Sequence, residues 1–298
     1  MVFQSSSSST TFSTHGAVLG IHGLEPAETT LLIPLVARAY GDQIFPDMAV
    51  HDRCAEIALA GLHEDEDEVQ EYLQDHLSVY GVLSRTRIFR QLAMDFFTRH
   101  PHSCGVNLGC GLSSYFQWLD RHDNHWVDAD LPAVMSLRES LLPTLGPRHR
   151  NASVDLRRAH WWRSLGLPQG PRAQPVWVML EGVLMYLQPQ EVMHVLREFA
   201  CHAPPGSELV CDSLSWMATG WASLHPSVSH TDAQFAWGAR QMSDFTAIDP
   251  RLCKLSEHAV LDGYNLATAW LCPGFRALWG VPAYGIVRLG LRGATQAR

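Results

Sequence analysis

Val106-Asn107-Leu108-Gly109-Cys110-Gly111-Leu112-Ser113-Ser114 is the stretch of this chain that decides its fold. The run from Cys104 to Leu108 reads as a buried strand, and it ends in two glycines one residue apart. Tyr115 to Leu119 follows as the opening of a helix. Glycine serves where backbone turns tightly and approaches a ligand without a Cβ in the way. A helix N-terminus behind such a turn offers unpaired N–H groups. Alone, Gly-x-Gly after a strand equally describes an ordinary tight turn. The sequel sharpens it: in Trp126-Val127-Asp128-Ala129-Asp130-Leu131-Pro132, Asp128 and Asp130 stand nineteen and twenty-one residues beyond Gly109. In nucleotide-binding βαβ units, an acid about 20 residues past the glycines accepts hydrogen bonds from ribose hydroxyls.

Working outward toward the C-terminus, strands and helices alternate, the pattern of a parallel sheet covered on both faces. A helix over Ala133 to Leu142 has Val134, Leu137 and Leu141 on one side, and a third strand covers Asn151 to Val154, ending at Asp155-Leu156. Pro175-Val176-Trp177-Val178-Met179-Leu180-Glu181-Gly182 is continuously apolar before its acid, so it predicts a strand buried on both faces. A helix from Gln190 to Ala200, a strand over Glu208 to Asp212 and a closing strand over Tyr284 to Leu291 complete the pattern. The Trp-rich section 214–247 predicts helices laid over the sheet.

Toward the N-terminus the periodicity is helical. Leu31, Leu32, Leu35, Val36 and Ala39 share a face within Thr30 to Tyr40, with Pro34 marking a first turn or a kink. Arg53 to Leu62 and Ser84 to Arg99 read as further helices. The acidic run His63-Glu64-Asp65-Glu66-Asp67-Glu68 predicts solvated surface, because no further ligands stand at a defined spacing, so no metal is expected. The expected organisation is a disordered, hydroxyl-rich tail over 1–18, a helical cap over 19–100, and an α/β core over 101–298 with an insertion at about 214–247.

Bulk composition limits the partners. The 298 residues are 46% hydrophobic and 17% charged, enough to bury a large core. The net charge of −8 argues against nucleic acid or an anionic membrane. Seven cysteines, scattered and without CxxC spacing, fit free thiols in a reducing compartment. No apolar run approaches the ~20 residues of a bilayer span, and the first residues lack the plan of a signal peptide. A cytoplasmic protein with a small-molecule substrate is the expectation, and nothing in the sequence sets its oligomeric state.

Ligands of open α/β sheets bind beyond the C-terminal strand ends. Here those ends carry Gly109/Gly111, Asp128/Asp130, Asp155, Glu181 and Asp212. Any one acid there could be a helix cap; four on successive strands with a Gly-x-Gly are harder to explain so. Ser114 stands where a dinucleotide fingerprint has its third glycine, and no Lys-Ser/Thr pair of a triphosphate loop follows. Acids without lysines suit a cofactor with hydroxyls, an amine and positive charge. S-adenosylmethionine, a sulfonium carrying a ribose, fits.

The strings Ser84-Arg85-Thr86-Arg87, Asn107 to Leu112, Trp126 to Pro132, Asp155-Leu156-Arg157 and Glu181-Gly182-Val183-Leu184-Met185-Tyr186-Leu187 carry a resemblance. From about residue 25 to 291 the chain resembles the leucine carboxyl methyltransferase family, in particular its bacterial, tetracenomycin-type branch of polyketide O-methyltransferases. The resemblance implies a class I S-adenosylmethionine methyltransferase fold: a Rossmann-like α/β sheet of seven strands, mainly parallel, behind an N-terminal helical cap. It implies that Arg85 clamps the methionine carboxylate and that Gly109 and Gly111 line the cofactor. It further places Asp130 at the ribose, Asp155 and Leu156 at the adenine, and Glu181 at the methionine end. Where the family often has Asp-Thr-Arg after the glycine loop, this chain has Ser113, Ser114 and Tyr115.

The activity so implied is O-methylation of a small-molecule carboxylate or hydroxyl. A carboxylate is already ionised at neutral pH, whereas a phenol or enol gains from a general base. His225, His230 and His258 are the candidates among 16 histidines, and Tyr186 is a polar group beside a strand end. Trp216, Trp221, Phe235, Trp237 and Phe245 either wall a substrate pocket, with Arg240 holding an acid group, or fill the core. Two rival readings stay open: an NAD-type oxidoreductase, disfavoured by Ser114 and Glu181, and a binding protein of the same fold without catalysis, which Ser113 keeps open.

Overall fold

The buried strand Val176–Leu180 (β4) sits at the centre of the molecule, and its sequence explains why: all five residues are apolar and all five are buried. A computed structural model describes residues 30–62, 66–219 and 234–292. In chain order, Leu32–Ile44 (α1), Arg53–Leu62 (α2), Glu66–Gln74 (α3) and His76–Arg99 (α4) precede Cys104–Leu108 (β1). Then come Phe116–Leu119 (α5), His125–Asp130 (β2), Pro132–Leu141 (α6), His149–Ser153 (β3), Trp161–Ser164 (α7), β4 and Pro189–His202 (α8). Glu208–Leu214 (β5), Ser243–Thr246 (α9), Leu252–Ala259 (β6), Leu266–Trp279 (α10) and Tyr284–Leu291 (β7) close the chain.

The seven strands form one sheet in the order β3-β2-β1-β4-β5-β7-β6. The first five are parallel to their neighbours, and β7 runs antiparallel between β5 and β6. Strand order reverses at the β1/β4 boundary, and such switch points leave a crevice beyond the strands' C-terminal ends. Period-two alternation divides the strands between two layers. Trp177 and Met179 of β4 face Phe89, Phe96 and Phe97 of α4, while Val176, Val178 and Leu180 belong with Val192, Val195 and Phe199 of α8.

Helix α4 begins at His76, ahead of the expected Ser84, because Asp75 caps it by accepting the Ser78 N–H. Pro34 falls in the first turn of α1, where the absent N–H costs nothing. Strand β6 and helix α10 were not located by periodicity. β6 is a half-exposed sheet edge carrying Lys254 and Glu257, so it lacks an apolar run. In the section 214–247, the described residues form only a turn of 3-10 helix at Trp216–Ala218 and the four residues of α9, fewer helices than expected. The tail 1–18, His63 to Asp65, Trp221, His225 and His230 lie outside the described residues. No cysteine is in a disulfide, and no helix among the described residues is long and apolar enough to cross a membrane.

Candidate active site

A cavity of about 490 Å³ opens where the ends of β1, β2 and β4 face α1 and α4. Arg85, Gly109, Gly111, Asp130, Asp155, Leu156, Glu181 and Tyr186 all line it. Asp128 does not. Its carboxylate lies beneath the sheet end, fully buried against Arg138, His149 and the Trp126 indole N–H. The His149 Nδ1 accepts the Leu145 N–H, so the ring carries its proton on Nε2 and donates it to Asp128. Burial raises the Asp128 pKa, but Arg138 and His149 outweigh burial and hold the carboxyl below its usual range.

The glycine loop is shaped by its backbone. Gly109 and Gly111 have φ of 67° and 50°, the left-handed region that side chains disfavour. A Cβ on Gly109 would sit 2.4 Å from Val183 Cγ2, and one on Gly111 would sit 2.5 Å from Leu31 Cδ2. The loop amides are already engaged. Those of Gly109 and Cys110 donate to Ala129 O at 2.8 and 3.1 Å, and Gly111 N–H donates to Asp130 Oδ2 at 2.7 Å. Leu131 N–H donates to the other Asp130 oxygen at 2.7 Å. A diphosphate needs such amides aimed at itself, so this loop is built to present a carboxylate.

Arg138 holds the loop from behind, donating to Gly111 O at 3.0 Å and Ser113 O at 2.6 Å. Ser113 Oγ donates to Cys110 O at 2.7 Å and accepts from Asn107 Nδ2 at 3.0 Å, so the serine that departs from the family pattern closes the turn. Arg138 was missed in the sequence, although a signal was there: it stands four residues after Val134, inside an otherwise apolar helix face.

At the β4 end, Arg85 Nε donates to Glu181 Oε1 at 2.8 Å and Nη1 donates to the Tyr284 hydroxyl at 3.0 Å. Tyr115 OH donates to Glu181 Oε2 at 2.7 Å. Tyr284 OH and Gly182 N–H donate to the two Asp212 oxygens at 2.6 and 2.7 Å. Burial works against the Arg85 charge, yet Tyr284, Glu181 and Asp212 outweigh it and keep the guanidinium firmly protonated. Burial pushes the Asp212 carboxyl upward. Tyr115 and Tyr284, each supplied by a segment remote from Arg85 in sequence, had no motif to betray them.

Asp155 is held below its usual range by hydrogen bonds from Arg157, whose Nε lies 2.8 Å away. The Tyr186 phenol is pushed above its ordinary pKa, chiefly by burial, and its ring lies 5.8 Å from that of Phe235. Phe235 lines the cavity along with Ile33, Leu77, Met185, Leu214 and Leu261. Trp237 instead packs edge-on against Phe245 in the core, and Arg240 lies over the Trp216 ring; neither lines the cavity. His258 is on β6 beside Ser256, away from the cavity.

Comparison with known proteins bears on the family and the fold. A model of the leucine carboxyl methyltransferase family matches residues 32–200. The tetracenomycin polyketide synthesis O-methyltransferase TcmP of Streptomyces glaucescens is 30% identical over 256 residues, 84% of this chain and 90% of its own length. The S-adenosyl-L-methionine-dependent methyltransferase dpfgK of Gibberella zeae is 27% identical over 190 residues, 60% of this chain and 62% of its own. A Thermobifida fusca YX crystal structure assigned as a methyltransferase shares the fold, with a TM-score of 0.54 at 17% identity, covering 84% of this chain and 98% of its own.

Proposed function

This chain belongs to the leucine carboxyl methyltransferase family and is an S-adenosylmethionine-dependent methyltransferase, and from that premise we propose that it methylates an oxygen of a small molecule, a carboxylate or hydroxyl of polyketide type. The observation that carries the reading is the gathering of seven expected cofactor contacts, from four strand ends and a cap helix, around one cavity. The donor set fits the cofactor. Carboxylates stand at the strand ends, the glycine-loop amides are engaged, and no lysine lines the cavity among the described residues. A volume of about 490 Å³ is in the range of small-molecule sites.

When bound, S-adenosylmethionine supplies a methyl group on a positively charged sulfur, open to in-line attack. The chain's own contribution is to hold both reactants in line, which is worth effective molarities of roughly 10⁵ to 10⁸ M. Arg85 has five N–H donors, of which Glu181 and Tyr284 take two, so it retains donors for the methionine carboxylate. Glu181 accepts one bond on each oxygen and keeps lone pairs for the ammonium group. Asp130, oriented by two backbone amides, receives the ribose hydroxyls. Asp155 and Leu156 border the adenine, and Gly109 and Gly111 admit the cofactor to the backbone.

The cap, residues 19–100, and the insertion at about 214–247 are assigned the acceptor. Ile33 and Leu77 from the first and Phe235 from the second give it an apolar, partly aromatic wall. Raised by burial, the Tyr186 phenol keeps its proton at neutral pH and donates a hydrogen bond to the acceptor instead of removing a proton. No described histidine lines the cavity. A carboxylate acceptor needs none, and for a hydroxyl acceptor His225 and His230 are the bases the sequence still offers. The test is incubation with S-adenosylmethionine and a panel of aromatic polyketide acids and phenols, followed by mass spectrometry. A one-methyl mass gain that alkali removes identifies an ester, and one stable to alkali identifies an ether. Cofactor binding without turnover on any acceptor would favour the non-catalytic rival.

A further inference from the structure

Helix α10 contradicts the usual economy of a folded chain. Its 14 residues include one charged side chain, and none of them is buried. Leu266, Trp270, Leu271 and Leu278 are 84%, 82%, 68% and 76% exposed. Its ends are nonetheless specified: Asn265 and Thr268 form a capping box, and Gly280 closes the other end in the left-handed conformation. Pro273 and Gly274 in its interior are the two weakest helix formers. A helix this short draws its stability from packing of its apolar face, and the described protein half-buries Thr268, Cys272 and Phe275 while the side carrying Leu266, Trp270 and Leu278 packs on nothing.

We propose that α10 is a self-association surface, on which a second copy of this chain docks about a two-fold axis. Leu266, Trp270, Gly274 and Leu278 fall four residues apart, forming a single ridge along the helix. A two-fold axis through the middle of that ridge sets Leu266 against Leu278 of the other copy and Trp270 against Gly274. The largest side chain on the ridge therefore meets its only gap. That gap is open: a Cβ built on Gly274 has nothing within 4 Å. The face is its own complement in shape, a knob and a notch placed symmetrically about one point.

Charge agrees. Arg276, the one charged residue of α10, is held by both oxygens of Glu257 at 2.5 and 3.2 Å. Two copies of a chain with net charge −8 can thus meet here without opposing unpaired charges. The same lack of basic residues disfavours an anionic lipid surface, which is recognised through Lys and Arg. Area agrees as well. A large aromatic side chain buries on the order of 150–250 Å², so Trp270 with Leu266, Leu271 and Leu278 supplies the apolar centre of an interface whose standard size is ~800 Å² per partner.

The test is sedimentation velocity on the full chain across the micromolar range, comparing the native protein with Trp270→Glu, Gly274→Leu and a control, Met94→Glu, at an exposed site on α4. The native chain and the control are expected to be dimers. Trp270→Glu and Gly274→Leu are expected to weaken dimerisation on the order of tenfold or more. Gly274→Leu is the decisive variant, since it favours the helix and its Cβ has no atom within 4 Å among the described residues of the protomer. A monomeric native chain overturns the proposal, and so does a dimer indifferent to both substitutions. A monomer that sediments with phosphatidylcholine vesicles through Trp270 assigns the face to lipid and overturns it too.

Discussion

Replacing Gly109 by alanine tests the site's architecture at the point where β1 and β4 meet. The added Cβ would lie 2.4 Å from Val183 Cγ2 and 3.4 Å from Cγ1, at a residue with φ of 67°. The left-handed conformation costs an L-residue roughly 1–2 kcal/mol, and forcing a methyl into a filled space costs roughly 1–3 kcal/mol. Together Gly109→Ala is expected to destabilise the protein by about 2–5 kcal/mol. Val183→Ala removes two methyl groups from a half-buried side chain, a loss of about 1 kcal/mol. The nearest atom then left to the new methyl is Val183 Cβ, at 3.5 Å, an ordinary contact. In the double variant Gly109→Ala should then cost only its backbone strain, giving a favourable coupling of about 1–3 kcal/mol. Urea unfolding followed by tryptophan fluorescence measures all four corners of the cycle. Calorimetry with S-adenosylhomocysteine should show the same order, because displacing Gly109 disturbs the amides that set Asp130. Coupling indistinguishable from zero would mean that the loop evades Val183, and the steric account of this glycine would be wrong.

Other substitutions separate binding, stability and turnover. Asp130→Ala is expected to abolish S-adenosylhomocysteine binding in calorimetry while the fold, read by circular dichroism, persists; undiminished affinity would remove Asp130 from the cofactor site. Arg138→Met leaves Asp128 buried without its cation and should cost about 3–5 kcal/mol in urea unfolding, with Arg138→Met/Asp128→Asn recovering part of it. Because the Asp128 carboxyl is depressed in the folded state, it stabilises above the ordinary aspartate pKa of about 4. That stability drains away as pH falls toward the folded value; the double variant should show a shallower acid dependence over that window, and an unchanged slope would contradict the pairing. Tyr186→Phe should lower kcat about 10- to 100-fold, the worth of one hydrogen bond of roughly 1.5–3 kcal/mol to a charged group, without weakening S-adenosylhomocysteine binding.

The features legible beforehand were those with a local cause. A short all-apolar run such as Val176–Leu180, flanked by Pro175 and Gly182, reads as a two-sided strand, and glycines at Gly109 and Gly111 mark backbone that a Cβ would obstruct. Edge strand β6 escaped notice because one exposed side dilutes its pattern, and α4 gained two extra turns from a cap at Asp75 instead of from an apolar stripe. By spacing from the glycines alone, Asp128 and Asp130 were equivalent. Two residues apart on β2, one side chain enters the buried Arg138–His149 pair and the other accepts the N–H groups of Gly111 and Leu131. Trp237 and Phe235 were likewise alike, and packing sent one to the core and the other to the cavity.

By itself, then, the chain's sequence determined the alternating sheet, the glycine turn and the acids at the strand ends, because each follows from the chemistry of neighbouring residues. Tertiary structure alone decided that Tyr115, Arg85, Glu181, Tyr284 and Asp212 share one hydrogen-bonded network, that Arg138 braces the loop, and that the Leu266, Trp270 and Leu278 side of α10 stays uncovered within the described protomer. Those outcomes depend on which surfaces meet when segments up to 199 residues apart are brought together, and pairwise packing at that range leaves no periodic trace along the chain.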